Sequence, residues 1–227
     1  MKYTWLLFDA DGTLFDYQKA EASALERAFA AVGEHFNPTY LHIYRQINDH
    51  VWQEFERGQI TAEQLRIRRF ESLFQAIQLP ILPHVFSTLY LQHLATGTDL
   101  IEGAHEVLSA LHRTYQLAII TNGLRDVQRP RLAQSTIGRY FAELIISEEV
   151  GAVKPDPAIF AAAFARLGNP QRADVLLIGD SLTSDIQGGQ NYGLDTCWFN
   201  PTRQPHTPGL TSTYEIQHLA ELKQLLL

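Results

Sequence analysis

The chain is predicted to fold as an α/β protein whose parallel sheet is covered by helices on both faces. Three observations predict this. Short, continuous apolar runs recur along the chain, and each closes on polar residues or glycine, as strands buried on both faces do. Segments with apolar residues at helical spacing separate later runs, so strands and helices alternate. One long stretch, about Tyr17 to Gly97, breaks the alternation and shows no buried-strand run.

Taken in order, the first run is Trp5-Leu6-Leu7-Phe8, closed by Asp9-Ala10-Asp11-Gly12. The long stretch follows. It is rich in helix formers and in aromatics such as Phe29, Tyr44, Phe70 and Phe86, with breaks at Asn37-Pro38, Gly58, Pro80 to Pro83 and Gly97. It reads as an insertion of several helices. The predicted division is therefore an α/β domain of residues 1–16 and 98–227 and a helical domain of residues 17–97. Ala104, Val107, Leu108 and Leu111 sit at helical spacing. Gln116 to Ile120 forms the next run, ending at Thr121-Asn122-Gly123, and Ala142 to Ile146 ends at Ser147. Ile159, Phe160, Ala163, Phe164 and Leu167 again sit at helical spacing. Asp156-Pro157 is the start signal of that helix and Gly168 its stop. Val175 to Ile178 ends at Gly179-Asp180-Ser181, and Thr196 to Phe199 ends at Asn200-Pro201. The tail, from Thr202, reads as a loop followed by a short helix from Glu215.

Composition bounds the function. With 227 residues, 45% of them hydrophobic and 19% charged, the chain is globular and long enough to bury a core without staples. The single cysteine, Cys197, excludes an intramolecular disulfide and a cysteine-based zinc cluster, and reads as buried core. Eighteen Lys and Arg against 25 Asp and Glu give a net charge of -7, which disfavours a nucleic-acid polymer or an anionic membrane as partner. No apolar run approaches the ~20 residues of a membrane span. Met1 to Phe8 does not read as a signal peptide, so the expected location is cytoplasmic.

In open parallel sheets the ligand binds beyond the carboxyl ends of the strands, and four strand ends here carry chemistry. Asp9 and Asp11 place two carboxylates at a strand-to-loop turn that Gly12 lets bend. The bland alternative is a turn with solvated aspartates. Gly179-Asp180-Ser181 with Asp185 is a second acidic cluster, and aspartates converging from adjacent strand ends make a hard-oxygen site suited to Mg²⁺. The alternative is helix capping by Asp180 or Ser181. Thr121-Asn122-Gly123 offers a hydroxyl, an amide and backbone N–H groups, either a phosphate cradle or an ordinary turn. Lys154, before Pro155-Asp156-Pro157, is a point charge suited to phosphate or a solvated surface lysine.

The order of these signals, each closing a separate strand, resembles the haloacid dehalogenase-like (HAD) superfamily. The matching residues are Asp9-Ala10-Asp11-Gly12-Thr13, Thr121, Lys154 and Gly179-Asp180-Ser181 with Asp185. The resemblance implies a Rossmann-like sheet of order 5-4-1-2-3 and identifies the insertion as similar to that superfamily's helical C1 cap, which can close over a site and exclude water. It implies Asp9 as nucleophile and Asp11 as acid and base. It also implies Thr121, Asn122 and Lys154 as phosphate-binding groups. Mg²⁺ would be held by Asp9, the backbone carbonyl of Asp11 and Asp180, with Asp185 steadying its shell.

Further segments are similar to the noncanonical pyrimidine nucleotidase group. They are Thr121-Asn122-Gly123, Ile146-Ser147-Glu148-Glu149-Val150-Gly151, Lys154-Pro155-Asp156-Pro157-Ala158-Ile159-Phe160, Asp185-Ile186-Gln187-Gly188-Gly189 with Thr196-Cys197-Trp198, and in the insertion Phe55 to Thr61 followed by Arg69-Phe70-Glu71-Ser72. The implied activity is Mg²⁺-dependent hydrolysis of small-molecule phosphomonoesters, namely pyrimidine nucleoside 5′-monophosphates. Alternatives are a phosphatase for sugar phosphate or phosphoglycolate, and a 2-haloacid dehalogenase. Tyr17, Trp52, Phe55, Arg66, Arg69 and Phe70 could meet a base or form helical core. Gly188 and Gly189 read as sites of close helix packing.

Overall fold

The computed structural model describes residues 2–227. The elements run β1 (Trp5–Phe8), α1 (Tyr17–Ala31), α2 (Pro38–Glu56), α3 (Ala62–Ile77), α4 (Pro83–Leu94), α5 (Ala104–Leu111), β2 (Gln116–Thr121), α6 (Arg125–Gln134), β3 (Glu143–Ile146), α7 (Ser147–Val150), α8 (Pro157–Arg166), β4 (Val175–Gly179), α9 (Gln187–Tyr192), β5 (Asp195–Phe199), β6 (Tyr214–Ile216) and α10 (Glu221–Leu226). Two compact units result. One comprises the residues up to Tyr17 with Thr98–Leu227, the other Gln18–Gly97. No helix among the described residues is long and apolar enough to cross a membrane.

The first unit is the expected α/β fold. Its six strands run in the order β3-β2-β1-β4-β5-β6, and every neighbouring pair is parallel. The continuous apolar runs are explained by burial on both faces. Side chains alternate across the sheet, and the two faces bury two separate cores. Leu6, Phe8, Leu117, Ile119, Leu176 and Ile178 pack with Val107, Leu108 and Leu111 of α5 and Leu222 of α10. Leu7, Ala118, Ile120, Val175 and Leu177 pack on the opposite face with Ile159, Phe160, Ala163 and Phe164 of α8. β1 lies between β2 and β4, with Phe8 opposite both Ile119 and Ile178. The three strands therefore end at one level, and the residues that follow them share one rim.

The tail corrects the sequence expectation. The order 5-4-1-2-3 is present, but a sixth strand lies beyond β5. Tyr214–Ile216 pairs with Cys197 to Phe199, where a helix from Glu215 was expected. Ile216 is buried in the same core as Phe199, and three residues are too few to show a strand period. The helix starts later, at Glu221, whose Oε1 accepts hydrogen bonds from the backbone N–H groups of Gln217 and His218.

The second unit is helical. Asn37 caps α2 by accepting from Thr39 N, and Thr61 with Gln64 forms a reciprocal capping box at the start of α3. Its interior is aromatic. Tyr44 stacks on Phe70 at 5.5 Å, and Phe86 packs on Phe29 at 4.9 Å and on Phe74 at 5.0 Å. Arg69 is buried as well. Its Nη1 donates to Asn48 Oδ1 at 3.2 Å, and its guanidinium lies 5.1 Å from the ring centres of both Phe70 and Tyr90. Arg69 and Phe70 thus belong to the core of this unit, the bland reading of their helical spacing.

Gly188 and Gly189 do mark close packing. A Cβ on Gly189 would lie 2.5 Å from Thr196 Cγ2 on β5, and one on Gly188 would lie 2.9 Å from the Phe160 ring. Thr196 is buried and β-branched, so it cannot swing aside. Gly189→Ala is expected to cost about 1–3 kcal/mol of folding stability through overpacking. Chemical denaturation measures it, and an unchanged midpoint would remove the packing account of this glycine.

Candidate active site

Each strand end places one group on the rim. Asp9 follows β1, and its backbone N–H donates to Ile178 O at 2.8 Å, which ties the turn to β4. Gly12 has φ +86°, and a Cβ there would lie 2.6 Å from Asp180 Oδ2. Only glycine satisfies both the left-handed backbone and this approach. Thr13, fully buried, donates from Oγ1 to Asp180 Oδ1 at 3.3 Å. Trp198 Nε1 donates to the Asp180 carbonyl at 3.0 Å and fixes the backbone from β5. Asp185 sits on a wide turn, Leu182–Ile186, capped by Ser181, whose Oγ accepts from Ser184 N at 3.1 Å. Ser181 N–H in turn donates to Asp185 Oδ2 at 3.1 Å, and a Cβ on Gly179 would fall on the Asp185 carboxyl.

Lys154 joins these groups. Its Nζ donates to Asp9 Oδ1 and Asp185 Oδ1, both at 2.6 Å, and to Ile120 O at 3.0 Å. All three ammonium protons are thereby used. Asn122 holds this lysine in place: its Oδ1 accepts from Lys154 N at 2.7 Å and its Nδ2 donates to Lys154 O at 2.9 Å. Its side-chain amide is spent on the lysine backbone. Thr121 Oγ1, buried, accepts from Gly123 N at 3.0 Å. Lys154 is 1% exposed, so the reading of a solvated lysine does not hold.

Asp9, Asp180 and Asp185 each offer a carboxylate oxygen within 4.8 Å of the others, the one such acidic cluster among the described residues. The side chain of Asp11 is not in it. Gln128 Nε2 donates to Asp11 Oδ2 at 2.5 Å, and Arg131 Nη1 donates to Asp11 Oδ1. Both partners come from α6. Sequence reading missed them, although they stand three residues apart, on one face of the helix that follows Thr121-Asn122-Gly123. It also missed Ser147, which donates from Oγ to Asn122 O at 3.0 Å.

The electrostatics follow from crowding. Burial pushes Asp9 well above the ordinary carboxylate value; Lys154 opposes this, and Asp185 and Asp180 add to it. Asp180 is pushed up to about 7, chiefly by desolvation and then by Asp185. Burial would lower Lys154, but Asp185 and Asp9 together outweigh it and hold the ammonium charged. Three carboxylates around one ammonium leave excess negative charge among hard oxygen donors. That donor set fits a divalent cation such as Mg²⁺.

The sequence profile of haloacid dehalogenase-like hydrolases matches residues 6–199. The pyrimidine 5′-nucleotidase YjjG of Escherichia coli strain K12 is 37% identical over 226 residues, covering 100% of this chain and 99% of that protein. The pyrimidine 5′-nucleotidase PynA of Streptococcus pneumoniae is 34% identical over 227 residues, covering 100% of this chain and 96% of that protein. Among solved structures, that of YfnB from Bacillus subtilis bound to magnesium superposes with a TM-score of 0.93 at 37% identity, covering 100% of this chain and 99% of that one.

The raised carboxyls make a stability prediction for the metal-free protein. A carboxyl that binds its proton more tightly folded than unfolded loses stability for the fold as pH rises between the two values, here from 3.8 to about 7 for Asp180. Asp180→Asn removes this loss. The melting temperature of the variant minus that of the wild type should therefore grow across this pH window, and Mg²⁺ should raise the wild type more than the variant. Thermal melts on chelator-treated protein measure both, and a difference that stays constant with pH would refute the crowding argument.

Proposed function

The chain belongs to the haloacid dehalogenase-like hydrolase family, and we propose that it is a Mg²⁺-dependent hydrolase of pyrimidine nucleoside 5′-monophosphates. One observation carries this reading: Asp9 is gripped by Lys154 beside Asp180 and Asp185, while a second carboxylate, Asp11, stands two residues on with separate partners. Two full-length relatives named pyrimidine 5′-nucleotidases support the substrate class.

In the proposed reaction an Asp9 oxygen attacks phosphorus and the ester P–O bond breaks. The leaving nucleoside oxygen keeps the bonding pair and takes a proton from Asp11. Asp11, now a carboxylate, takes a proton from water as the water oxygen attacks the aspartyl-phosphate. Inorganic phosphate leaves, Asp9 is regenerated and Asp11 is protonated again. Mg²⁺ bound to Asp9, Asp180 and the Asp11 backbone carbonyl, with Asp185 steadying its shell, would supply charge neutralisation for the phosphoryl oxygens. Lys154 orients Asp9 and acts on the phosphate through its charge, since its donors are already engaged. Asn122 keeps Lys154 in register, and the Thr121 hydroxyl, which accepts from Gly123 N, would donate its proton to a phosphoryl oxygen. A dehalogenase expels halide, which needs no proton and no cation, so that chemistry leaves Asp11 and Asp180 without a task. We place the reaction in the cytoplasm on a free nucleotide; the net charge of -7 disfavours a polymeric nucleic acid.

Two outcomes test the reading. Asp9→Asn keeps the size of the side chain and removes the nucleophile, so phosphate release should fall to background while the circular dichroism spectrum is kept; steady turnover by this variant would take Asp9 out of the role. Selectivity is the second. Uridine and deoxyuridine monophosphates should exceed adenosine and guanosine monophosphates in kcat/KM by about tenfold or more, the equivalent of ~1.4 kcal/mol. A ratio near one, or faster turnover of sugar phosphates, would withdraw the nucleotidase assignment and leave the aspartate mechanism in place.

A further inference from the structure

We propose that Gln128 and Arg131 are positioning residues that hold Asp11 in the one orientation from which it can hand its proton to the leaving group. The proposal rests on the phosphoester reading of the site. Each Asp11 oxygen receives a donor from the same helix, Oδ2 from Gln128 Nε2 at 2.5 Å and Oδ1 from Arg131 Nη1. A carboxyl anchored at both oxygens cannot turn about its terminal torsion, and each oxygen still has a lone pair to carry or receive a proton.

The anchors are themselves immobile. Gln128 is 2% exposed and Arg131 fully buried. The Arg131 guanidinium lies 5.4 Å from the centre of the Phe15 ring, and Phe15 is fixed in turn by bridges to Asp11 and Leu100. Space for Gln128 is kept by Gly123, where a Cβ would collide with the Gln128 amide. Taking an arginine wholly out of water is costly, and an apolar residue would pack α6 as well or better. A buried guanidinium and amide aimed at one carboxyl are what fixed acid–base geometry requires. The two catalytic carboxylates are thus served separately, Asp9 by Lys154 and Asp11 by α6.

The chemistry supplies a readout that a merely structural role would not move. As the P–O bond breaks, the leaving oxygen takes the electron pair and the proton from Asp11. p-Nitrophenolate is a stable anion that leaves without that proton, whereas phenolate, the anion of a far weaker acid, depends on it. The two esters carry the same phosphate on the same ring and differ only in the para nitro group, and neither has a nucleobase, so the comparison does not depend on nucleotide preference. The experiment measures kcat/KM for phenyl phosphate and p-nitrophenyl phosphate, with Mg²⁺, in wild type, Gln128→Leu and Arg131→Met. The phenyl to p-nitrophenyl ratio should fall about tenfold or more in either variant, a part of the roughly 10²- to 10⁴-fold that a placed general acid contributes. In an Asp11→Asn background Gln128→Leu should lower kcat/KM for phenyl phosphate no further, because the residue it serves is gone. Equal losses on both esters, or additive losses with Asp11→Asn, would overturn the proposal and leave the phosphatase reading standing. A wild type that hydrolyses neither ester would overturn that reading itself, and this inference with it. Arg131 is fully buried; should Arg131→Met not fold, Gln128→Leu, uncharged and of similar volume, decides the question alone.

Discussion

One buried ammonium organises the rim at the carboxyl ends of the strands. Lys154 sits out of water with hydrogen bonds to Asp9, Asp185 and the carbonyl of Ile120. Without it, two carboxylates would lie close together in a poorly solvated turn, a cost that proteins avoid by pairing or protonation. Its position depends on Asn122, which brackets the lysine backbone from both sides, and on Ser147, which fixes the Asn122 carbonyl. The loops after β2, β3 and β4 are therefore tied to one charge, and the loop after β1 is tied to it through Asp9. The remaining negative charge is not cancelled internally, and the site is arranged to need a cation from solution.

Glycine and β-sheet register do the fine placement. Equal register of β1 with β2 and β4 brings three turns to one level, and Gly12 and Gly179 allow two carboxyls to lie against backbone that any side chain would displace. These are close approaches, and rigid ones. Asp9 thus follows a strand that is hydrogen-bonded on both sides, which holds its charge in a preorganised place.

Much of this was legible in the sequence because strands buried on both faces have an unmistakable pattern. Trp5 to Phe8, Leu117 to Ile120 and Val175 to Ile178 are apolar throughout, so the polar residues that end them stand out, and parallel sheets gather such ends on one rim. Other features left no such trace. Tyr214–Ile216 is too short to show a period and lies at the sheet edge. Gln128 and Arg131 stand on a helix whose polar residues look like ordinary surface until the fold buries them. Arg69 and Phe70 have the spacing of a ligand platform and of a core alike, and only packing against Tyr44 and Tyr90 separates the two.

The pairing of Trp5 with Gln116 and with Val175 also sets an order of events during synthesis. The first strand leaves the ribosome long before either neighbour exists, and closing so large a loop is slow. The contacts of α2 with α3 and of α3 with α4 are, by contrast, between successive elements and available early. Asp180 and Asp185 arrive later than any other member of the acidic cluster. A nascent chain shorter than this carries Asp9 without the other two carboxylates of the cluster, so the set of hard oxygen donors is complete only when the polypeptide is nearly finished.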